Sequence, residues 1–307
     1  MDRRAWLLAG VAAAWLGWCG ATSLLGGEEN EDALRIIVFG AHPDDCEIRA
    51  GGCAILWSRQ GHKVKFVSAT NGDIGHWGMA GGALAKRRYA EVQEAAKILG
   101  TTTVVLDIHD GELEPTLENR KTFARLIRRW RADIVIGHRP NDYHPDHRYT
   151  GVLMQDAAYM VAVPFFCPDT PPLDRNPVFL YSYDRFQRPT PFEPDIVVAI
   201  DSVVDQKVEA LVKMESQFIE GGATGRPESA PKTEAEREAK RQQVREAFKR
   251  RFARIADQCR QKLIELYGEE LGKRVKYAEA FQICEYGRQP SRAELRRLFP
   301  FFPEKQP

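Results

Sequence analysis

Neither sign of charge dominates this chain: its 307 residues carry 44 lysines and arginines against 43 aspartates and glutamates. A chain that grips nucleic acid shows a basic excess on some face, so that class of partner is excluded. Cysteine is sparse and scattered. Of six, the five beyond residue 27 are Cys46, Cys53, Cys167, Cys259 and Cys284. An odd set with no CxxC pair argues against both a disulfide framework and a cysteine zinc site. No internal repeat is visible, and "GMAGGAL" has neither the spacing nor the preceding strand of a dinucleotide fingerprint.

What is present begins with a segment unlike the rest. "MDRR" precedes the uncharged "AWLLAGVAAAWLGWCGATSLLGG", and the acidic "EENED" follows. A basic stretch, an apolar stretch and small residues after it are the layout of an export signal. Residues 1–27 are therefore expected to be a signal peptide, cleaved after Ala21 or Ser23, or a retained membrane anchor. Lipidation of Cys19 is disfavoured by the bulky Trp18 before it. The expected location is outside the cytoplasmic membrane.

From residue 34 onward, β-branched runs alternate with helical patterns. "RIIVFG", "KVKFVSAT", "TTVVLDI" and "DIVIGH" read as strands buried on both faces, with "PVFLYSY" and "DIVVAID" as two later ones. Between the first four lie helical stretches, among them "GALAKRRYAEVQEAAKILG", which Gly100 closes. This order predicts a Rossmann-like α/β fold, a mostly parallel sheet with helices on both faces. One helix is expected over 201–218, and a loop or lid over 220–234. Beyond it Val244, Phe248, Phe252, Ile255, Cys259, Leu263 and Leu266 recur at helical spacing, so the charges among them read as a solvated face. Residues 34–290 form one domain in this reading, and 291–307 a C-terminal tail.

In such sheets ligands bind beyond the carboxyl ends of the strands. There the chain places "AHPDDCEIRAGG", "TNGDIGHW", "HDGE" and "HRPNDYHPDHR". Adjacent carboxylates in a crevice stay ionised together only beside a positive charge. "HPDH" at 144–147 mirrors "HPDD" at 42–45, and two imidazoles with one carboxylate are a common catalytic zinc set that leaves a fourth position for water. Neighbouring side chains of an extended loop point opposite ways, so one of Asp44 and Asp45 can bind the metal while the other reaches the water. His62, His76, His109 and His138 have no such set and read as structural or surface residues. Asp73 and Asn71 read as substrate contacts or turn residues.

Together "AHPDDCEIRAGG" and "HPDHR", in this order and each after a strand, resemble the N-acetylglucosaminylphosphatidylinositol de-N-acetylase (PIG-L/LmbE-like) family of zinc-dependent deacetylases. The resemblance extends to "RYAEVQEAAKILG", "KVEALVKMESQF" and "YAEAFQ". It implies one Zn²⁺ per chain, or another divalent ion, on His42, Asp45 and His147. It further implies Asp44 as general base, and His144 as the group that holds the oxyanion or protonates the leaving amine, with Asp146 orienting it. Arg88 matches a family arginine near the substrate, and Asp73 is the second candidate for substrate binding. Arg49 stands where the family usually has glycine, and Met214 where many members have histidine.

The expected activity is zinc-dependent removal of an acetyl group from an N-acetylglucosamine-type sugar or glycoconjugate. The alternatives are a metal hydrolase for another amide or ester, and a non-catalytic carbohydrate-binding domain. Arg49, Arg87, Arg88 and Arg139 border the active edge, which leaves room for an acidic substrate unless they pair with Glu47, Glu91 or Asp142.

Overall fold

The computed structural model describes residues 32–303, so the proposed signal or anchor at 1–27 lies outside the described residues. The run RIIVFG forms strand β1 (Arg35–Gly40), whose side chains alternate between two apolar layers. Ile36 and Val38 face a core shared with helices α1 (Asp45–Arg59) and α2 (Gly82–Leu99). Ile37 and Phe39 face the opposite layer, built by α3 (Leu117–Trp130) and α4 (Pro145–Met160), where Phe39 stacks on Phe123 at 4.4 Å. Burial on both faces is what a continuous apolar strand demands. Gly100 does end α2, in the left-handed region at φ 72° that glycine enters without a Cβ penalty.

The other strands are β2 (Lys63–Ser68), β3 (Thr102–Val105), β4 (Ile134–Gly137), β5 (Val178–Ser182), β6 (Ile196–Ala199) and β7 (Ala278–Gly287). They lie in the order β3-β2-β1-β4-β5-β7-β6. The first five are parallel, and β7 is antiparallel to both its neighbours. The fold is therefore the expected α/β sheet with helices around it. Strand order reverses between β1 and β4, and the loops leaving these two strands flank the crevice at that switch point.

Three expectations over the second half need correction. The helix expected over 201–218 is two, α5 (Val204–Leu211) and the single turn α6 (Glu215–Phe218), parted at Val212 to Met214. The long charged segment is α7 (Glu234–Gln258) and α8 (Arg260–Tyr267), broken at Cys259 and followed by α9 (Glu269–Arg274). The segment set apart as a tail contributes α10 (Arg292–Leu298). Its Leu298 and Phe299 are fully buried, and the Leu298 carbonyl accepts the Trp57 indole N–H at 2.9 Å. It belongs to the core.

Candidate active site

The loop leaving β1 turns tightly, with the Asp44 and Asp45 N–H groups both donating to the His42 carbonyl at 2.9 and 3.2 Å. Asp45 opens α1, and its Oδ2 accepts the Ala41 and His42 N–H groups at 3.0 and 2.9 Å. At the end of β4, His144 caps α4 and Pro145 occupies its first position, where a missing N–H costs nothing. One turn on, a Cβ at Gly151 would stand 2.8 Å from the His138 carbonyl oxygen, so only glycine lets α4 rest on the 138–140 backbone. His147 then stacks on the buried His138, ring centres 4.3 Å apart.

Three donor atoms from these two loops converge. His42 Nδ1 lies 3.2 Å from His147 Nε2 and 3.5 Å from Asp45 Oδ2, and His147 Nε2 lies 3.4 Å from Asp45 Oδ2. A tetrahedral ion with ligands at about 2.0–2.1 Å has edges of about 3.3–3.4 Å, so the triangle has the size of one face of such a site. The His144 imidazole also lies within 4.8 Å of the His42 and His147 nitrogens.

A second layer of carboxylates backs both imidazoles. His42 Nε2 lies 3.1 Å from Asp110 Oδ1 and 3.2 Å from Asp146 Oδ2, and His147 Nδ1 lies 3.1 Å from Asp142 Oδ2. Carboxylates on the far nitrogen fix the ring and raise its basicity as a ligand. Burial opposes charge on Asp45, His42 and His147, and their attraction to oppositely charged neighbours wins. His147 and His138 hold Asp45 well below the usual carboxylate range; Asp110, Asp146 and Asp45 hold His42 above the usual imidazole range. Asp45 and Asp142 push His147 up to about 9. The cluster thus draws positive charge to the position where a cation fits.

Asp44 goes the other way. Burial, and then the Asp45 charge, push its carboxyl up to about 6, and no hydrogen bond to its carboxylate exists among the described residues. Burial, then His42 and His147, lower His144. Its Nδ1 accepts the Asp146 N–H at 3.3 Å, which leaves Nε2 to carry the proton of the neutral ring.

These residues line a cleft of about 1050 Å³ whose far walls come from the 183–186 segment after β5, the 217–224 segment and α7. Such a volume exceeds what one sugar ring needs and is at the upper end for small-molecule sites. The 71–81 loop is clasped to the 220–225 loop: the Trp77 N–H donates to Gly222 and its indole N–H to Glu220, both at 3.0 Å. Arg87 grips the Glu220 carboxylate with two bonds of 2.8 Å, and His76 Nε2 lies 3.1 Å from it.

A family profile described as "PIG-L: GlcNAc-PI de-N-acetylase" matches residues 37–158. A diacetylchitobiose deacetylase of Thermococcus kodakarensis is 31% identical over 199 residues, 63% of this chain and 73% of that protein. The chain belongs to the PIG-L family. A 4-oxalmesaconate hydratase of Pseudomonas putida is 27% identical over 196 residues, 61% of this chain and 76% of the relative. Among solved structures, an N,N'-diacetylchitobiose deacetylase from Pyrococcus horikoshii superposes with a TM-score of 0.64 at 25% identity, covering 84% of this chain and 86% of that one.

Within this PIG-L chain the two motifs meet as expected, while several finer assignments change. Asp146 touches His144 through its backbone N–H alone. Its fully buried carboxylate serves His42 and accepts the Gly111 and Leu113 N–H groups at 2.6 and 3.2 Å, so it orients His42. Asp73 does not line the cleft. His109 and the Asp110 N–H occupy its carboxylate at 2.7 and 3.1 Å, and it thereby holds the loop that presents Asp110. Arg88 does line the cleft, yet it is almost wholly buried and donates to the Gly75 carbonyl at 2.6 Å and to Gln217. Arg139 is closed off by Asp184 at 2.6 and 2.7 Å. Met214 is buried in the core.

Arg49 reaches the cleft, donates to the Tyr183 carbonyl at 2.7 Å and lies 3.7 Å from Asp45 and 3.8 Å from Asp142. Asp110 is unremarked in the sequence, and Asp142 stands out there only as a possible arginine partner; neither is foreseen behind a ligand histidine. Both stand in the quoted loops, and a search for a carboxylate behind each candidate histidine ligand would have flagged them.

Proposed function

We propose that this chain is a zinc-dependent hydrolase that removes the acetyl group of an N-acetylglucosamine-type sugar or glycoconjugate outside the cytoplasmic membrane. The observation that carries the reading is the donor triangle of His42, Asp45 and His147 beside an uncommitted, buried Asp44. Kinship with a diacetylchitobiose deacetylase supports the substrate class, and the layout of residues 1–27 supports the location. A divalent ion on the three ligands would supply a more acidic water and a polarised amide carbonyl.

The chain's own groups do the rest. The Asp44 carboxylate takes the proton of the attacking water as its oxygen bonds to the carbonyl carbon. His144 Nε2–H donates to the oxyanion, and a proton returned to the nitrogen lets the C–N bond break, giving acetate and a free amine. Asp110, Asp146 and Asp142 hold the two ligand imidazoles in place. Arg88 keeps the 71–81 loop over the site.

A second reading, addition of water to a double bond of an unsaturated carboxylic acid, is favoured by kinship with the Pseudomonas putida hydratase. The test measures acetate release and loss of conjugated-acid absorbance on the same zinc-loaded protein, alongside its metal content. Acetate from diacetylchitobiose, about one zinc per chain, and loss of both in His147→Ala are expected. Zinc retained in that variant would overturn the ligand set, and absorbance loss without acetate would favour the hydratase chemistry.

A further inference from the structure

Helix α7 presents two different faces. Towards its N-terminal end the arginines Arg237 and Arg241 pair with Glu215, and Arg245 with Glu209. At its C-terminal end, positions 251, 254, 255 and 258 fall on one stripe, and all four line the catalytic cleft. Two of them are arginines. Across the cleft, after β5, stands a third, Arg185. None of the three guanidinium groups has a hydrogen bond or an ion pair among the described residues, and Arg251 is half-buried.

Apart from Asp44, the reserved base, the carboxylates of the cleft are already engaged. Asp45, Asp110 and Asp142 face the histidines, and Asp184 is held by Arg139. Burial, and then the charge of Arg49, lower Arg251 to about 10, with Arg185 acting in the same direction and Asp45 and Asp44 against it. Arg251 is therefore still cationic at neutral pH. It adjoins Tyr183, whose carbonyl anchors Arg49 beside Asp45, so the positive stripe starts next to the reacting centre.

We infer that Arg251, Arg254 and Arg185 form an anion-binding subsite, and that the preferred substrate carries a carboxylate or phosphate on the part that extends from the N-acetyl sugar towards α7. A half-buried guanidinium with no internal partner is a costly feature to keep, and a fork of N–H donors matches either oxyanion. The assignment rests on the deacetylase reading for the reacting group, while the charge preference stands on the arginines themselves. It also replaces Arg87 and Arg139, which the structure closes off, as the origin of an acidic preference.

The test compares N,N'-diacetylchitobiose with its aldonic acid, which carries one carboxylate, and with N-acetylglucosamine 6-phosphate, on the zinc-loaded protein. At low salt an anionic substrate should show kcat/KM at least about tenfold above the neutral one, carried by KM, and the advantage should shrink in 0.5 M salt. Arg251→Gln and, separately, the exposed Arg254→Gln should each lower that ratio by about tenfold. Titration calorimetry of the same three compounds reads binding without turnover. If no acetyl sugar releases acetate but the anions bind more tightly and lose that advantage in Arg251→Gln, the deacetylase reading fails and the subsite stands. Equal affinity for neutral and anionic compounds, or a ratio unmoved by both variants, overturns the subsite.

Discussion

Asp44 unites two properties that pull stability and activity apart, so Asp44→Asn is the most informative substitution in the site. Its carboxyl is buried beside Asp45 and is raised from an ordinary 3.8 to about 6. A folded-state value above the unfolded one means that ionising the group opposes folding. The penalty is absent below about pH 4, grows as pH rises towards 6, and is constant above that. A displacement of about two pH units, at about 1.4 kcal/mol each, amounts to about 3 kcal/mol at pH 7.5 and about 1 kcal/mol at pH 4.5. Asparagine fills nearly the same volume without charge. Metal-free Asp44→Asn should therefore be more stable than the parent by up to about 3 kcal/mol at pH 7.5, with most of the gain gone at pH 4.5. Urea denaturation at both pH values, after chelation, measures it. The zinc-loaded variant should keep its metal and lose about two to four orders of magnitude in kcat. A variant no more stable at pH 7.5, or one with the same increment at both pH values, would refute the electrostatic argument; full turnover would refute the base.

The sheet was legible because its signal is local. Ile36 to Phe39 and Ile134 to Ile136 are buried on both faces, and a strand with no polar side can only be central. The two histidine motifs were legible for a related reason, since each closes a strand and the switch-point rule brings strand ends together. What stayed hidden depends on contacts distant in sequence. β7 enters between β5 and β6 although about eighty residues separate it from β6, and no periodicity states a pairing partner. Asp146 lies two residues from His144, and the family resemblance implied that the two act as a pair. The start of α4 instead turns the Asp146 carboxylate to His42, 104 residues away. The arginines of α7 show the same limit. Helical period separates an apolar stripe from a polar one, but it cannot say that one end of the polar stripe meets a cleft instead of bulk water.

Four further outcomes are expected. Asp142→Asn should weaken zinc binding about 10- to 100-fold in competition with a chelator, because it unseats the far nitrogen of His147. Glu220→Gln removes the carboxylate that Arg87 and His76 hold and leaves the two Trp77 bonds to backbone carbonyls. It should therefore loosen the clasp between the 71–81 and 220–225 loops, seen as faster amide hydrogen exchange in both and a raised KM. Arg87 holds the Glu220 carboxyl below its usual range, so the carboxylate's share of the clasp should persist at neutral pH and weaken only below about pH 4.5. A C-terminal reporter that works only in the cytoplasm should stay inactive on the full chain, and activity there would refute export. The last concerns Lys207, which is fully buried with Glu279 at 2.5 Å. Its ammonium also donates to the Ile48 carbonyl at 2.7 Å, and Glu279 accepts the Gly52 and Cys53 N–H groups at 2.6 and 2.8 Å. The pair thus ties α5 and β7 to the middle of α1, the helix whose first residue is Asp45. Lys207→Met strands a buried carboxylate and should cost about 3–5 kcal/mol in urea denaturation. Adding Glu279→Gln removes the stranded charge, so the double variant should be more stable than the single one. If the single substitution costs less than about 1 kcal/mol, or the second makes matters worse by its full separate cost, the two charges do not act as a pair, and α1 owes its position to apolar packing alone.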